Sequence, residues 1–290
     1  MARIVAKRAA ARGAAARSDH LSPPPADIDL SGTPRDRYAD PMLAPVDNDA
    51  VVLAVLADRF RLPMERLVPG EIAVAEVPHP SLPVRAFTRD GGAVVAVAPE
   101  HARLLAAHLR GPATIRPSLE AVAAELPGHM FSGVARTGVA IPPPAVPVDV
   151  LDAADPRLPD WVHGYFTGAA WVVLEDGKVL STAVLKRYDD RLREISVGTA
   201  EAARGRGLAR AVVEAAARAV LAEGRAVLYN HAEDNYASAK VAEAAGLHEF
   251  GRYHAVVPDR RLGAEFGEDD TAAERTAVRL KAASRGTTER

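Results

Sequence analysis

Apolar residues along this chain fall into two kinds of run. Dense β-branched stretches at 71–77 (EIAVAEV), 83–87 (PVRAF) and 93–98 (AVVAVA) predict strands. The Asp90-Gly91-Gly92 turn between the last two predicts a hairpin. Helical periodicity predicts helices over 48–60 and 118–126, and from Pro99 through HARLLAAHLR, where proline takes a favoured first position. A short strand is expected near 113–115 and a strand near 131–141. Residues 141–149 (IPPPAVPVD) form a stiff connector.

Beyond the connector a strand, a turn at Pro156 and a helix over 155–168 are expected. WVVLE and KVLSTAVLKR flank Asp176-Gly177, the strongest local hairpin signal in the chain. A strand follows at 194–199 (EISVGT), with Glu194, Ser196 and Gly198 on one face and Ile195, Val197 and Thr199 on the other. The next helix is expected to bury Leu208, Val212, Ala216 and Ala219. It would expose Arg210, Glu214 and Arg218, spaced four apart for ion pairs. A strand at 226–231, a short helix after Asn235 and a strand at 248–257 complete the pattern. The chain belongs to the α/β class, with a mixed sheet.

The chemistry concentrates at Arg204-Gly205-Arg206-Gly207-Leu208-Ala209, between the 194–199 strand and its helix. A glycine-bearing turn opening a helix leaves backbone N–H groups unpaired, and the positive end of the helix dipole favours a pyrophosphate there. Arg204 and Arg206 add charge that can reach phosphate oxygens. No G-x-x-x-x-G-K-[ST] string occurs. A G-x-G-x-x-G turn fails too, because Arg210 stands at the third glycine position and four residues separate strand from turn.

Arg204, Gly207 and Ala209 match the R-x-x-G-x-A signature of the GNAT acyltransferase superfamily. Downstream, Asn235, Ser238, Gly246 and Leu247 in DNYASAKVAEAAGL match its second element in order and spacing. The segment 195–247 therefore resembles a GNAT domain. The resemblance implies an acyl-coenzyme A donor, usually acetyl-CoA, and amide formation on a primary amine. It implies that the N–H groups of Arg204, Gly205, Arg206, Gly207, Leu208 and Ala209 hold the pyrophosphate. The backbone of Val197 and Thr199 would pair with the pantetheine arm, and Asn235 would reach the cofactor. Asn235 also suits a plain helix cap, and Ser238 a small residue packed in a helix turn. The helix–strand order of the first half is that of the same fold without its glycine turn, which implies a degenerate GNAT copy or an unrelated α/β domain.

Amide formation requires the amine to lose a proton, an oxyanion to be stabilised and a thiolate to be protonated. An alkyl ammonium with a pKa near ~10.4 needs a base or water relay at neutral pH. Many members of the family supply the thiolate proton from a Tyr, and Ala242 stands at that place here. Ser238, Tyr229 and Tyr253 are candidate hydroxyl donors. Glu194 is the leading candidate base on the resemblance, and a solvated strand-end charge otherwise. His231, at the end of its strand, is a candidate base or relay. A backbone N–H near Val197 to Thr199 would stabilise the oxyanion. Trp161, His163, Tyr165 and Phe166 fall where the family forms one wall of the acceptor pocket. A non-catalytic acyl-CoA-binding or sensing module, motivated by Ala242, and other acyl-CoA chemistry such as decarboxylation remain open.

Composition excludes some rivals. The chain has no cysteine, which removes thiol nucleophiles, an acyl-cysteine intermediate and Cys-ligated zinc. Its nine His include no H-E-x-x-H, and His101 and His108 lie two helical turns apart, roughly 10 Å, so no metal is expected. A net charge of −2 gives no argument for nucleic acid or membrane. With no apolar run of ~20 residues, a cytoplasmic protein is expected. Its partners would be acetyl-CoA and a small-molecule or peptide amine, with oligomers allowed. The expected organisation is a basic, Pro-rich flexible tail (1–42), an N-terminal α/β domain (43–145), an acyl-CoA-binding catalytic domain (146–258) and a charged tail (259–290) with a helix signal at 271–283.

Overall fold

The computed structural model describes residues 4–6, 47–78, 82–126, 128–163, 166, 168–187 and 190–258. The expectation of a structureless leading tail fails at one point. Strand β1 (Ile4–Ala6) pairs in parallel with β2 (Ile72–Glu76), setting Ile4 opposite Ile72. An apolar tripeptide with two β-branched residues suits that place, because β2 would otherwise leave a row of backbone groups unpaired at the sheet edge. The rest of that tail and the 259–290 tail, with its helix signal, lie outside the described residues.

Asp47 starts α1 (Asn48–Phe60) by accepting the Ala50 N–H at 3.1 Å, and Arg61 closes the helix with φ 47°. Such a cap is worth about 1 kcal/mol. β3 (Val84–Arg89) and β4 (Gly92–Val97) form the expected hairpin through Asp90 and Gly91, both at positive φ, as a type I′ turn requires. After a 3-10 turn at Pro99–His101 come α2 (Ala102–His108), a second 3-10 turn at Pro112–Thr114, α3 (Ile115–Glu125) and β5 (Gly128–Thr137). The strand expected near 113–115 is therefore absent. Pro112 has no N–H to give a ladder, and the Thr114 hydroxyl closes the turn by accepting the Gly111 N–H at 2.9 Å.

The second half comprises β6 (Asp149–Asp152), β7 (Ala169–Glu175), β8 (Lys178–Arg187), β9 (Leu192–Thr199), α4 (Leu208–Ala222), β10 (Ala226–Ala232), α5 (Tyr236–Ala244) and β11 (His248–Pro258). Asp176 (φ 51°) and Gly177 (φ 74°) turn β7 into β8. The helix expected over 155–168 does not form; the described residues there make turns. Pro156 and Pro159 remove two N–H donors, and Asp155 Oδ1 captures the Arg157 N–H at 2.9 Å.

Among the described residues, all the strands join one mixed sheet in the order β1-β2-β4-β3-β11-β5-β10-β9-β8-β7-β6. The two halves of the sequence are interleaved in it. β5 lies between β10 and β11, antiparallel to both, and β11 then pairs with β3. The connector divides the chain, while the sheet runs across that division.

Each face of the sheet has its own cover. On one side α1 packs over Leu192, Leu228, Ala135 and Tyr253, and residues 153–166 pack over Val172 and Val184. On the other, α4 and α5 cover Trp171, Ile195, Val227 and Tyr229, while α3 covers Val256. Fully burying each such Val, Leu or Ile contributes about 1.5–3 kcal/mol. Glu214, expected to be exposed, is completely buried and accepts from Arg210 Nε at 2.6 Å. The connector lies against the same helix. It packs Ile141, Val146 and Val148 into the α4 core, and Arg218 Nη1 holds the Ile141 carbonyl at 3.0 Å. Among the described residues, no helix is long and apolar enough to cross a membrane.

Candidate functional site

The site is a fork between two parallel strands. β9 and β10 pair only from Leu192/Ala226 to Ile195/Tyr229. Past that point β9 stays with β8 as far as Thr199, and β10 stays with β5 as far as Ala232. The Ala200 N–H donates to Leu180 O on β8 at 2.8 Å. Strand alternation then turns the N–H and C=O of Val197 and Thr199 away from β8, toward the fork.

The glycine turn lies at the end of β9. Gly205 and Gly207 both have φ 77°, and an added Cβ on either would meet no atom within 4 Å. α4 has no side-chain cap at Gly207 and no acid in its first turn. Its backbone ladder begins with the Ala211 N–H to Gly207 O, so the N–H groups of residues 205–210 have no partner among the described residues. Six open donors on the positive end of a 15-residue helix suit a diphosphate. The two arginines differ. Arg204 is exposed and has no ion pair among the described residues, whereas Arg206 grips Glu175 through both Nη atoms at 3.1 and 2.7 Å. An anion would have to compete for Arg206.

Asn235 caps α5: its Oδ1 accepts the Ser238 N–H at 3.0 Å. The Ser238 hydroxyl meets the Tyr229 hydroxyl at 2.6 Å. Burial pushes the Tyr229 phenol up to about 12, against the opposing pull of that bond, so it stays protonated. Ala242 is wholly buried one turn further along α5. Tyr253 is far from this pair in its packing, stacked on Phe60 at 5.5 Å and lying over Gly133 on the α1 face.

Glu194 and the hydroxyl pair sit on opposite faces of the sheet. Glu194 is 3% exposed and held by Lys186 Nζ at 3.1 Å and Asn230 Nδ2 at 3.0 Å. It is not the solvated strand-end charge that the sequence also allowed. His231 lies on the α4 face with Tyr229 and has partners at both ring nitrogens. Nε2 accepts from Arg136 Nε at 3.0 Å, and Nδ1 donates to Ala232 O at 2.8 Å. Burial first, then the Arg136 charge, lowers its pKa against the opposing pull of the Ala232 bond, so the ring stays neutral. With its free lone pair taken, His231 is built as a strut rather than a base. On the α1 face Trp161 covers Gly198, where an added Cβ would come within 2.8 Å of its ring, and meets Phe166 edge-on at 5.9 Å. His163 is tied to Leu158 O at 3.1 Å, and Tyr165 lies outside the described residues.

Residues 140–247 match the model of the Acetyltransferase (GNAT) family. This segment is a GNAT-family domain. Acyl transfer is the chemistry of that family, and the fork, the glycine turn and α5 all lie in or beside the matched GNAT segment. No curated protein matches the chain. Among solved structures, it is similar to a GCN5-related N-acetyltransferase-like protein from Streptococcus suis, at 21% identity over 45% of this chain and 62% of that one (TM-score 0.38). The chain thus spans less than two thirds of that protein's length. A GCN5-related N-acetyltransferase from Kribbella flavida is 16% identical over 74% of this chain and 97% of its own (TM-score 0.36). A tandem GNAT protein of the clavulanic acid biosynthesis pathway is 16% identical over 48% and 58% (TM-score 0.34). At these identities and TM-scores none of the three defines the chemistry of this chain.

Two residues that hold Glu194 escape sequence reasoning. Lys186 and Asn230 belong to different strands from Glu194, and only the register joins them. A polar Asn inside the apolar run AVLYNH, where strand propensity disfavours it, is the one local signal for Asn230.

Proposed function

We propose that this protein transfers an acyl group, acetyl in the simplest case, from coenzyme A to a primary amine by direct attack. The observation that carries the reading is the fork whose exposed backbone edge leads into the unpaired amides of residues 205–210. A diphosphate fits those amides and the open space at both positive-φ glycines, and an extended arm fits the free edge of Val197 and Thr199. Coenzyme A would supply an activated acyl carbon with a thiolate leaving group.

The chain's own residues divide the remaining work by face. Glu194, fixed by Lys186 and Asn230, presents a carboxylate on the α1 side, where it attracts an ammonium and takes its proton directly or through water. Trp161 shields the same side. On the α4 side the Tyr229–Ser238 pair holds a proton at Ser238 Oγ and fills the place left by Ala242. The backbone N–H groups at the fork supply donors for an oxyanion. No cysteine exists to carry the acyl group, which favours direct transfer.

Thiol release from acetyl-CoA across a panel of primary amines tests this reading. Amine-dependent release supports it. The burial of Ala242, which brings no hydroxyl to α5, favours a second reading, a module that binds acyl-CoA without turnover. Tight acetyl-CoA binding with no release for any amine would select that one.

A further inference from the structure

The acyl-transfer reading leaves one buried group on the acceptor side unexplained. Asn230 is the first residue of β10 beyond the fork. It faces Ala135 on β5, has no partner on β9, and shares the α1 face with Glu194. Its Nδ2 donates to Glu194 Oε2 at 3.0 Å. A carboxylate only accepts, so the orientation of the amide is fixed by chemistry: the NH2 group faces Glu194 and Oδ1 faces away. That Oδ1 is buried and has no hydrogen-bond partner. An orphaned buried acceptor costs about 1–3 kcal/mol and is rare in native proteins. A second buried oxygen on this face, Thr182 Oγ1, also lacks a partner, and Thr182 pairs with Gly198, the residue beneath Trp161. Two acceptors and one carboxylate therefore line the side of the fork opposite the glycine turn's helix, with no side-chain donor bonded to either orphan.

We propose that Asn230 Oδ1 accepts a hydrogen bond from the acceptor nitrogen and thereby selects amines over alcohols. This rests on the acyl-transfer reading. A primary amine brings at least two N–H groups, enough for the Glu194 carboxylate and Asn230 Oδ1 together. A hydroxyl brings one proton and leaves one of these acceptors unmatched. Glu194, itself held by Lys186, accepts from the Asn230 Nδ2 group, so that the amide oxygen is fixed before the amine arrives.

The test uses the full chain with acetyl-CoA and three probe amines: spermidine, tyramine and a lysine peptide with a blocked N-terminus. Thiol release gives kcat and KM, calorimetry gives acetyl-CoA affinity, and thermal melting checks the fold. Asn230→Ala should raise the KM of whichever amine turns over best by roughly tenfold and leave acetyl-CoA affinity within about twofold. Asn230→Ser, which keeps a small oxygen, should show a smaller rise in KM and decides the matter should the alanine variant unfold. An unchanged amine KM in a folded variant overturns the proposal, and so does a matching loss of acetyl-CoA affinity, which would mark Asn230 as structural. Absence of thiol release by the unaltered protein with every amine would instead sink the acyl-transfer reading itself, and the proposal with it.

Discussion

Arg136, on a strand from the first half of the chain, donates its Nε–H to His231 Nε2 in the second half at 3.0 Å. The same guanidinium reaches Leu247 O at 3.4 Å and Glu243 Oε1 at 2.9 Å, so β5 grips β10 and the end of α5 together. Arg136 is only 6% exposed, and its removal strands His231 Nε2 without a donor. Arg136→Met should destabilise the protein by about 2–4 kcal/mol in urea unfolding. An unaltered midpoint would show that the interleaved strand is not held by this contact.

The hydroxyl pair on α5 makes a kinetic prediction. Ser238→Ala leaves the buried Tyr229 hydroxyl without its partner and removes the proton held at Ser238 Oγ. Turnover with the best amine should fall roughly 10²-fold or more, with amine KM little changed. Tyr229→Phe should cost less, and the double variant little more than Ser238→Ala, as expected of groups acting as a unit. Additive losses would separate the two residues.

Glu194→Gln keeps the shape of the side chain and removes its charge. Values of kcat/KM should fall by about 10²–10⁴ while acetyl-CoA still binds. Activity within a few-fold of the unaltered protein would exclude Glu194 as the proton acceptor.

His254 supplies the pH dependence of stability. It is buried against α3, bonded through Nδ1 to Ser132 Oγ at 2.8 Å, and burial pushes its pKa down to about 4. Among the charges around it, Glu233 and Glu120 pull its pKa up and Arg116 and Arg252 pull it down. Because the folded pKa lies below the unfolded value near ~6.5, the unfolded chain binds the extra proton between these limits. Its contribution is complete above about pH 6.5 and is lost as pH falls toward 4, by on the order of 3 kcal/mol. His254→Asn should flatten the stability–pH curve in that window, measured by urea unfolding at fixed pH. An identical slope would assign the effect elsewhere.

Short-range signals specify local structure well. Asp90-Gly91 and Asp176-Gly177 sit at positive φ in the hairpins their composition predicts, and Gly205 and Gly207 open α4 as the turn chemistry requires. Signals that depend on distant partners were not legible. Nothing in GHMFSGVART announces that β5 inserts between β10 and β11, since that pairing joins residues about a hundred positions apart. Glu214 reads as exposed from its helical spacing, yet it is completely buried. His231 reads as a candidate base until Arg136, 95 residues earlier, takes its lone pair. The helix over 155–168 fails for a local reason instead: two prolines and the Asp155 side chain outbid a weak apolar period.

The most direct test of the central claim is a calorimetric titration of acetyl-CoA into the unaltered protein and into Gly207→Val. Gly207 has φ 77° with open space at its Cβ position, so valine strains the backbone and projects where a phosphate must approach. The account predicts saturable binding to the unaltered chain and loss of at least about a hundredfold in affinity in a folded variant. Equal affinity in the two proteins would contradict it.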